Sequence, residues 1–73
     1  MTREQKIEVM AEMLEIEPEE VQEEKLLEEF ETWDSIAILS VISEVEQATG
    51  KYLHAKDIKV LKTIGDIMAL LGE

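Results

Sequence analysis

Cysteine is absent from the 73 residues, which excludes a disulfide framework and a cysteine-held zinc site. A chain this short is one domain with a small core and marginal stability, so helix packing has to hold it together. The absence fits a reducing compartment. Long hydrophobic runs are also missing. The longest apolar stretch is only a few residues, far short of the roughly 20 a membrane-spanning helix needs. The opening Met1-Thr2-Arg3-Glu4-Gln5-Lys6 is polar, with no signal-peptide-type run. A soluble, cytoplasmic protein is the expectation.

Positive charge is scarce. Seven Lys and Arg face 18 Asp and Glu, for a net charge of −11. That excess opposes binding to nucleic acid or to an anionic membrane, and steers the chain towards basic partner surfaces. It is also lopsided: residues 1–34 carry 13 of the acids and 3 of the bases, giving −10, whereas residues 35–73 give −1.

Proline occurs once and glycine three times, and apolar residues do not alternate as in strands. The apolar period is helical. Ile7, Met10, Ala11 and Leu14 line one face of a first helix, capped by Thr2 with Gln5 three residues on. Pro18 disfavours helical geometry just before it, so this helix is expected to end near Ile16. From Glu17 to Trp33 the pattern loosens. Pro18-Glu19-Glu20 fits a single helical turn, and Val21, Leu26, Leu27, Phe30 and Trp33 are expected to pin a long loop against the core.

The second helix is the clearest. Asp34 or Ser35 supplies its cap, Ile38, Val41, Ile42, Val45 and Ala48 form its apolar stripe, and Gly50 stops it. Its opposite face carries Ala37, Ser40, Ser43 or Glu44, and Gln47, with at least one of Ile36 and Leu39 partly exposed. A short helix over residues 55–60 is expected to bury Ile58 and Leu61. Thr63 then caps a last helix, with Asp66 completing the box and Ile64, Ile67, Met68 and Leu71 at helical spacing. The expected fold is all-α: three main helices plus one short one, with a long loop between the first and second. Monomer is the expected state, because every apolar stripe is needed for one core.

Catalytic constellations are thin. The single histidine, His54, allows a Ser35-His54-acid triad on paper, but a cap serine on a small bundle offers no oxyanion hole or cleft. The glutamates lack calcium-loop spacing and read as a solvated face. No metal site and no enzyme is expected. The segment that does suggest chemistry is Trp33-Asp34-Ser35-Ile36 at the start of the longest helix. A phosphate ester on a hydroxyl there would lie beside unsatisfied N–H groups and the positive helix end, although Asp-Ser at a helix start is also ordinary capping.

Across nearly its whole length the chain resembles the acyl carrier protein family. The amphipathic first helix, the acidic loop with Leu27 and Phe30, and Trp33-Asp34-Ser35-Ile36 carry the resemblance. It continues through Leu39, Ile42, Val45, Glu46, Gly50, Leu53, Ile58 and Thr63-Ile64-Gly65-Asp66-Ile67. It implies that Ser35 receives 4′-phosphopantetheine from coenzyme A and that Asp34 assists the magnesium-dependent transfer. The arm then holds acyl or aminoacyl intermediates as thioesters. The implied partners are a phosphopantetheinyl transferase and acyl-activating and acyl-transferring enzymes. They would read the second helix, at Ile36, Leu39, Ser40, Ser43 and Glu46.

One departure matters. Carriers of fatty acid synthesis commonly place acids soon after the serine, whereas here Ala37, Ser40 and Ser43 precede the first acid of that helix, Glu44. A specialised biosynthetic pathway is the expectation. The alternatives are an unmodified helical interaction module, in which Ser35 only caps and its loss costs about 0.5–2 kcal/mol, and a small hydrolase using Ser35 and His54.

Overall fold

A computed structural model describes residues 1–72. It is a small all-α globule of four α-helices with no strand among the described residues: α1 Arg3–Leu14, α2 Ser35–Thr49, α3 Ala55–Lys59 and α4 Ile64–Leu70. Two single 3-10 turns, Pro18–Glu20 and Leu27–Glu29, lie in the long connection between α1 and α2.

Thr2 caps α1 reciprocally. Its Oγ1 accepts the Gln5 N–H at 3.1 Å, and its own N–H donates to Gln5 Oε1 at 2.9 Å, the box expected from the sequence. Met10, Ala11 and Leu14 are buried and Ile7 packs half-buried beside them. The helix ends at Leu14, a little before the expected Ile16. Glu15 takes left-handed geometry at φ 56, and the Ile16 N–H bonds back to the Ala11 carbonyl at 3.0 Å. That six-to-one bond closes the helix from within, before Pro18 has any influence.

The connection is pinned by side chains and lashed by backbone. Val21 and Leu27 are buried, and Phe30 and Trp33 half-buried. Leu26 departs from expectation and is 38% exposed. The backbone at Leu26 is extended, so neighbouring side chains point opposite ways and only Leu27 turns inward. Three hydrogen bonds tie this segment to the start of α4. Leu27 N–H donates to the Lys62 carbonyl at 2.8 Å, Ile64 N–H to Lys25 at 3.0 Å, and Gly65 N–H to Glu23 at 3.0 Å. Gly65 eases that approach, since a Cβ there would stand 3.0 Å from Glu23 Cβ and 3.1 Å from its carbonyl oxygen, tight enough that the loop would have to give by a few tenths of an ångström.

In α2 the seam runs through Ala37, Ile38, Val41 and Val45, all buried. Two assignments are corrected here. Ala37, expected on the outer face, is only 5% exposed, because it continues the i+4 row through Val41 and Val45. Ala48 is exposed, since the seam follows the same row to Thr49, which is half-buried and donates from Oγ1 to the Val45 carbonyl at 2.7 Å. Ile42 is half-buried, and Gly50 stops the helix in left-handed geometry at φ 77.

Short α3 buries Ile58 fully and leaves Leu61 half-buried. Thr63 caps α4, accepting the Asp66 N–H at 3.2 Å. Asp66 Oδ2 in turn accepts the N–H groups of Lys62 at 3.0 Å and Thr63 at 3.1 Å. These two bonds, first Lys62 and then Thr63, hold the Asp66 carboxyl below its ordinary value of 3.8. No polar or charged residue is buried among the described residues, so the core is wholly apolar. The Cα radius of gyration is 10.9 Å, against about 11 Å for a compact chain of this length, so the long connection is packed in.

Candidate functional site at the start of helix α2

The loop brings Trp33 to the surface half-buried and then turns into α2. Thr32 sets that turn from below. Its Oγ1 donates to the Leu14 carbonyl at 2.8 Å, tying the end of the loop to the end of α1. This contact was not legible in the sequence, because a lone loop threonine gives no sign of a partner 18 residues away.

Asp34 is the cap. Its backbone is extended, its Oδ1 accepts the Ala37 N–H at 3.0 Å, and its carbonyl accepts the Ile38 N–H at 3.0 Å. The sequence left the cap open between Asp34 and Ser35; the geometry assigns it to Asp34. Ser35 is therefore the first helical residue, exposed, with its hydroxyl not used in capping. The N–H groups of Ser35 and Ile36 belong to the helix's unsatisfied first turn, and that turn carries no acidic residue of its own.

Beyond Ser35 the exposed side of α2 is mostly apolar and small. Ile36 is 74% exposed and Leu39 62%. With Ser43 and Glu46, both exposed, they step by three and four residues and so form one stripe. The Ser43 hydroxyl accepts from Gln47 Nε2 at 3.2 Å. Ser40 is half-buried and lies off the stripe, on the side facing α1. Thus Asp34, Ser35, Ile36, Leu39, Ser43 and Glu46 share the open surface of the helix, and Ser40 flanks it.

Two clefts meet this helix start from different sides. One lies between α1 and α2 and takes in Asp34 and Ile36. The other lies between the loop and the end of α3 and takes in Trp33, Leu26 and Val60. His54 stands at the head of α3, where its N–H donates to Asp57 Oδ2 at 3.0 Å and its ring meets Tyr52 edge-on at 5.4 Å. No hydrogen bond joins it to Ser35 among the described residues. Nor, among the described residues, do any three His, Asp or Glu residues group as metal ligands, and none of the described helices is long and apolar enough to cross a membrane. Comparison of the chain with protein-family models, with curated proteins and with solved structures gives no match.

Proposed function

We propose that the protein is an acyl carrier, modified at Ser35 with 4′-phosphopantetheine by a phosphopantetheinyl transferase. The observation that carries the proposal is the division of labour at the start of α2. Asp34 caps the helix, which leaves the Ser35 hydroxyl exposed and uncommitted at a junction an enzyme can reach. The Trp33-Asp34-Ser35-Ile36 motif and its resemblance to acyl carrier proteins support the identity of the group.

The residues present suit such an attachment. Ser35 Oγ is the nucleophile that takes the phosphopantetheinyl phosphate from coenzyme A. It gives up its proton as the pyrophosphate bond breaks and adenosine 3′,5′-bisphosphate leaves. The unsatisfied N–H groups of the first turn favour the negative charge of the new phosphodiester. Asp34 Oδ1 is held by the Ala37 N–H, so Oδ2 is the oxygen available to assist the transfer. The arm supplies a terminal thiol that holds acyl or aminoacyl cargo as a thioester, and it raises the effective concentration of that cargo at a partner's site. The chain itself performs no turnover in this account.

The exposed stripe supports a specialised pathway. Ile36, Leu39 and Ser43 offer apolar and small side chains where a general fatty-acid carrier commonly offers acids, so the cognate acyl-activating and acyl-transferring enzymes would meet an apolar surface beside the arm.

Labelling with a fluorescent coenzyme A analogue and a broad-specificity transferase tests the proposal. Wild type is expected to label and Ser35→Ala to stay dark. Equal labelling of both would move the attachment elsewhere.

A further inference from the structure

The lash between the loop and the start of α4 sets two distant stretches side by side at the α3 end. Leu26 bridges to Thr63, and Leu27 N–H donates to the Lys62 carbonyl at 2.8 Å. The cleft at that join is lined by Leu26, Trp33, Lys59, Val60, Leu61 and Lys62. Val60 is 72% exposed and Leu26 38%, whereas Trp33 and Leu61 are half-buried. Leu26, which misses the core, is thus one of the apolar side chains that share this cleft. Glu28, exposed, is the one carboxylate along it.

The cations here are uncommitted. Lys59 and Lys62 are exposed. Lys56 stands three residues before Lys59 and four before Val60, so it lies beside them on the outer side of α3, away from buried Ile58. None of these three lysines has an ion-pair partner among the described residues, in a chain with 18 acids for 7 Lys and Arg. Asp57, their neighbour in sequence, is committed to the start of α3, where its Oδ2 accepts the His54 N–H at 3.0 Å. Lys62 is fixed by its main chain, since its N–H donates to Asp66 Oδ2 at 3.0 Å while its carbonyl holds Leu27.

Unpaired lysines beside exposed Val60 and Leu26 are a local reversal of sign in a chain of net charge −11. Such a surface is complementary to an apolar side chain flanked by Asp or Glu. An anionic membrane is the poorer match, because the charge of the whole chain repels it.

We propose that the cleft at the α3 end is a docking surface for a partner protein that presents an acidic amphipathic segment. An apolar side chain of that segment sits among Leu26, Trp33 and Val60, and its carboxylates meet Lys59 and Lys62, with Lys56 at the margin. Nothing in this surface requires the arm, so the inference stands apart from the carrier reading.

Trp33 is the only tryptophan of the chain, so its emission reports on the cleft directly. The unmodified full chain is titrated with a synthetic helical peptide of leucines and glutamates, and with its leucine–lysine counterpart. Salt is kept at about 0.15 M, which screens exposed charges beyond about 8 Å. The glutamate peptide is expected to change the Trp33 emission and, by NMR, to shift the amides of residues 26–28, 33 and 59–62. The lysine peptide is expected to leave both unmoved. Lys59→Gln with Lys62→Gln should weaken the glutamate peptide about threefold or more, the order that two exposed charge pairs supply. Lys6→Gln with Lys51→Gln makes the same change in net charge outside the cleft and should cost less than about 1.5-fold. Val60→Ser, at so exposed a position, should weaken binding while the unfolding midpoint is kept. No change at Trp33, amide shifts centred elsewhere, or equal losses in the two double variants would each overturn the proposal. So would vesicles of anionic phospholipid that move the Trp33 emission when the glutamate peptide does not, which would assign the cleft to a membrane.

Discussion

Asp34 holds two roles that one pair of substitutions separates. Its Oδ1 caps α2 through the Ala37 N–H at 3.0 Å, and it is the carboxylate next to the helix's positive end, since the first turn has no acid. Removing a cap costs about 1 kcal/mol, within a range of about 0.5–2. Losing a negative charge at that end costs about 0.3–1 kcal/mol at low salt. Asp34→Ala loses both, so a loss of about 1–2 kcal/mol is expected. Asp34→Asn keeps a capping oxygen and loses only the charge, so it should fall between Ala and wild type. At about 4–8 °C per kcal/mol for a domain of this size, Asp34→Ala should lower Tm clearly and Asp34→Asn by less. Thermal unfolding followed by far-ultraviolet circular dichroism reads this directly. Initial rates of arm transfer, measured well below both Tm values, read the second role. If the carboxylate assists transfer, both variants slow alike although their stabilities differ. An Asp34→Ala protein within about 0.3 kcal/mol of wild type would refute the capping argument. An Asp34→Asn protein modified at full rate would refute the role in transfer.

Other expectations follow from the lash between loop and α4. Gly65→Ala gains up to about 1 kcal/mol of helix preference but crowds Glu23 at 3.0–3.1 Å, an overpacking that costs about 1–3 kcal/mol. A net loss of about 1 kcal/mol is expected in urea unfolding, and a stabilised variant would show that the loop yields freely. Asp66 has a carboxyl depressed below 3.8 by the Lys62 and Thr63 N–H groups. Its contribution is therefore present above the unfolded value and lost as pH falls through the lower folded one. Asp66→Asn should flatten the dependence of stability on pH below about 4. An unchanged slope would show that other carboxylates carry it. Thr32→Val removes the 2.8 Å bond to the Leu14 carbonyl and should cost about 1 kcal/mol, checked by the same unfolding curves.

The helices were legible because their signals are local. Thr2 with Gln5, Thr63 with Asp66, and the apolar rows of α1, α2 and α4 each lie within a turn or two of the positions they control. Sequence and structure part mostly where the deciding contact is distant. α1 ends on a left-handed Glu15, a conformation for which glutamate carries no signature. Leu26 faces out because its neighbour Leu27 is held to Lys62, far along the chain. Ala37 reads as an outer residue because alanine is ambiguous in an apolar count, although it shares a row with Val41 and Val45. At the candidate site, motif and position were visible in the sequence, whereas the assignment of the cap to Asp34 and the lysine-flanked cleft beside Trp33 needed the packed structure. Both depend on which elements become neighbours.

The carrier assignment rests on Ser35 as the site of attachment, and intact mass tests it most directly. Protein first shown to be folded and to lack the arm is incubated with coenzyme A, magnesium and a broad-specificity transferase, with Ser35→Ala alongside. Because Asp34 rather than Ser35 caps α2, the variant should keep its stability within about 0.5 kcal/mol, so a failure to react cannot be blamed on unfolding. The account predicts one phosphopantetheine mass on wild type and none on Ser35→Ala. No addition to folded wild type, or an addition that survives in Ser35→Ala, would contradict it.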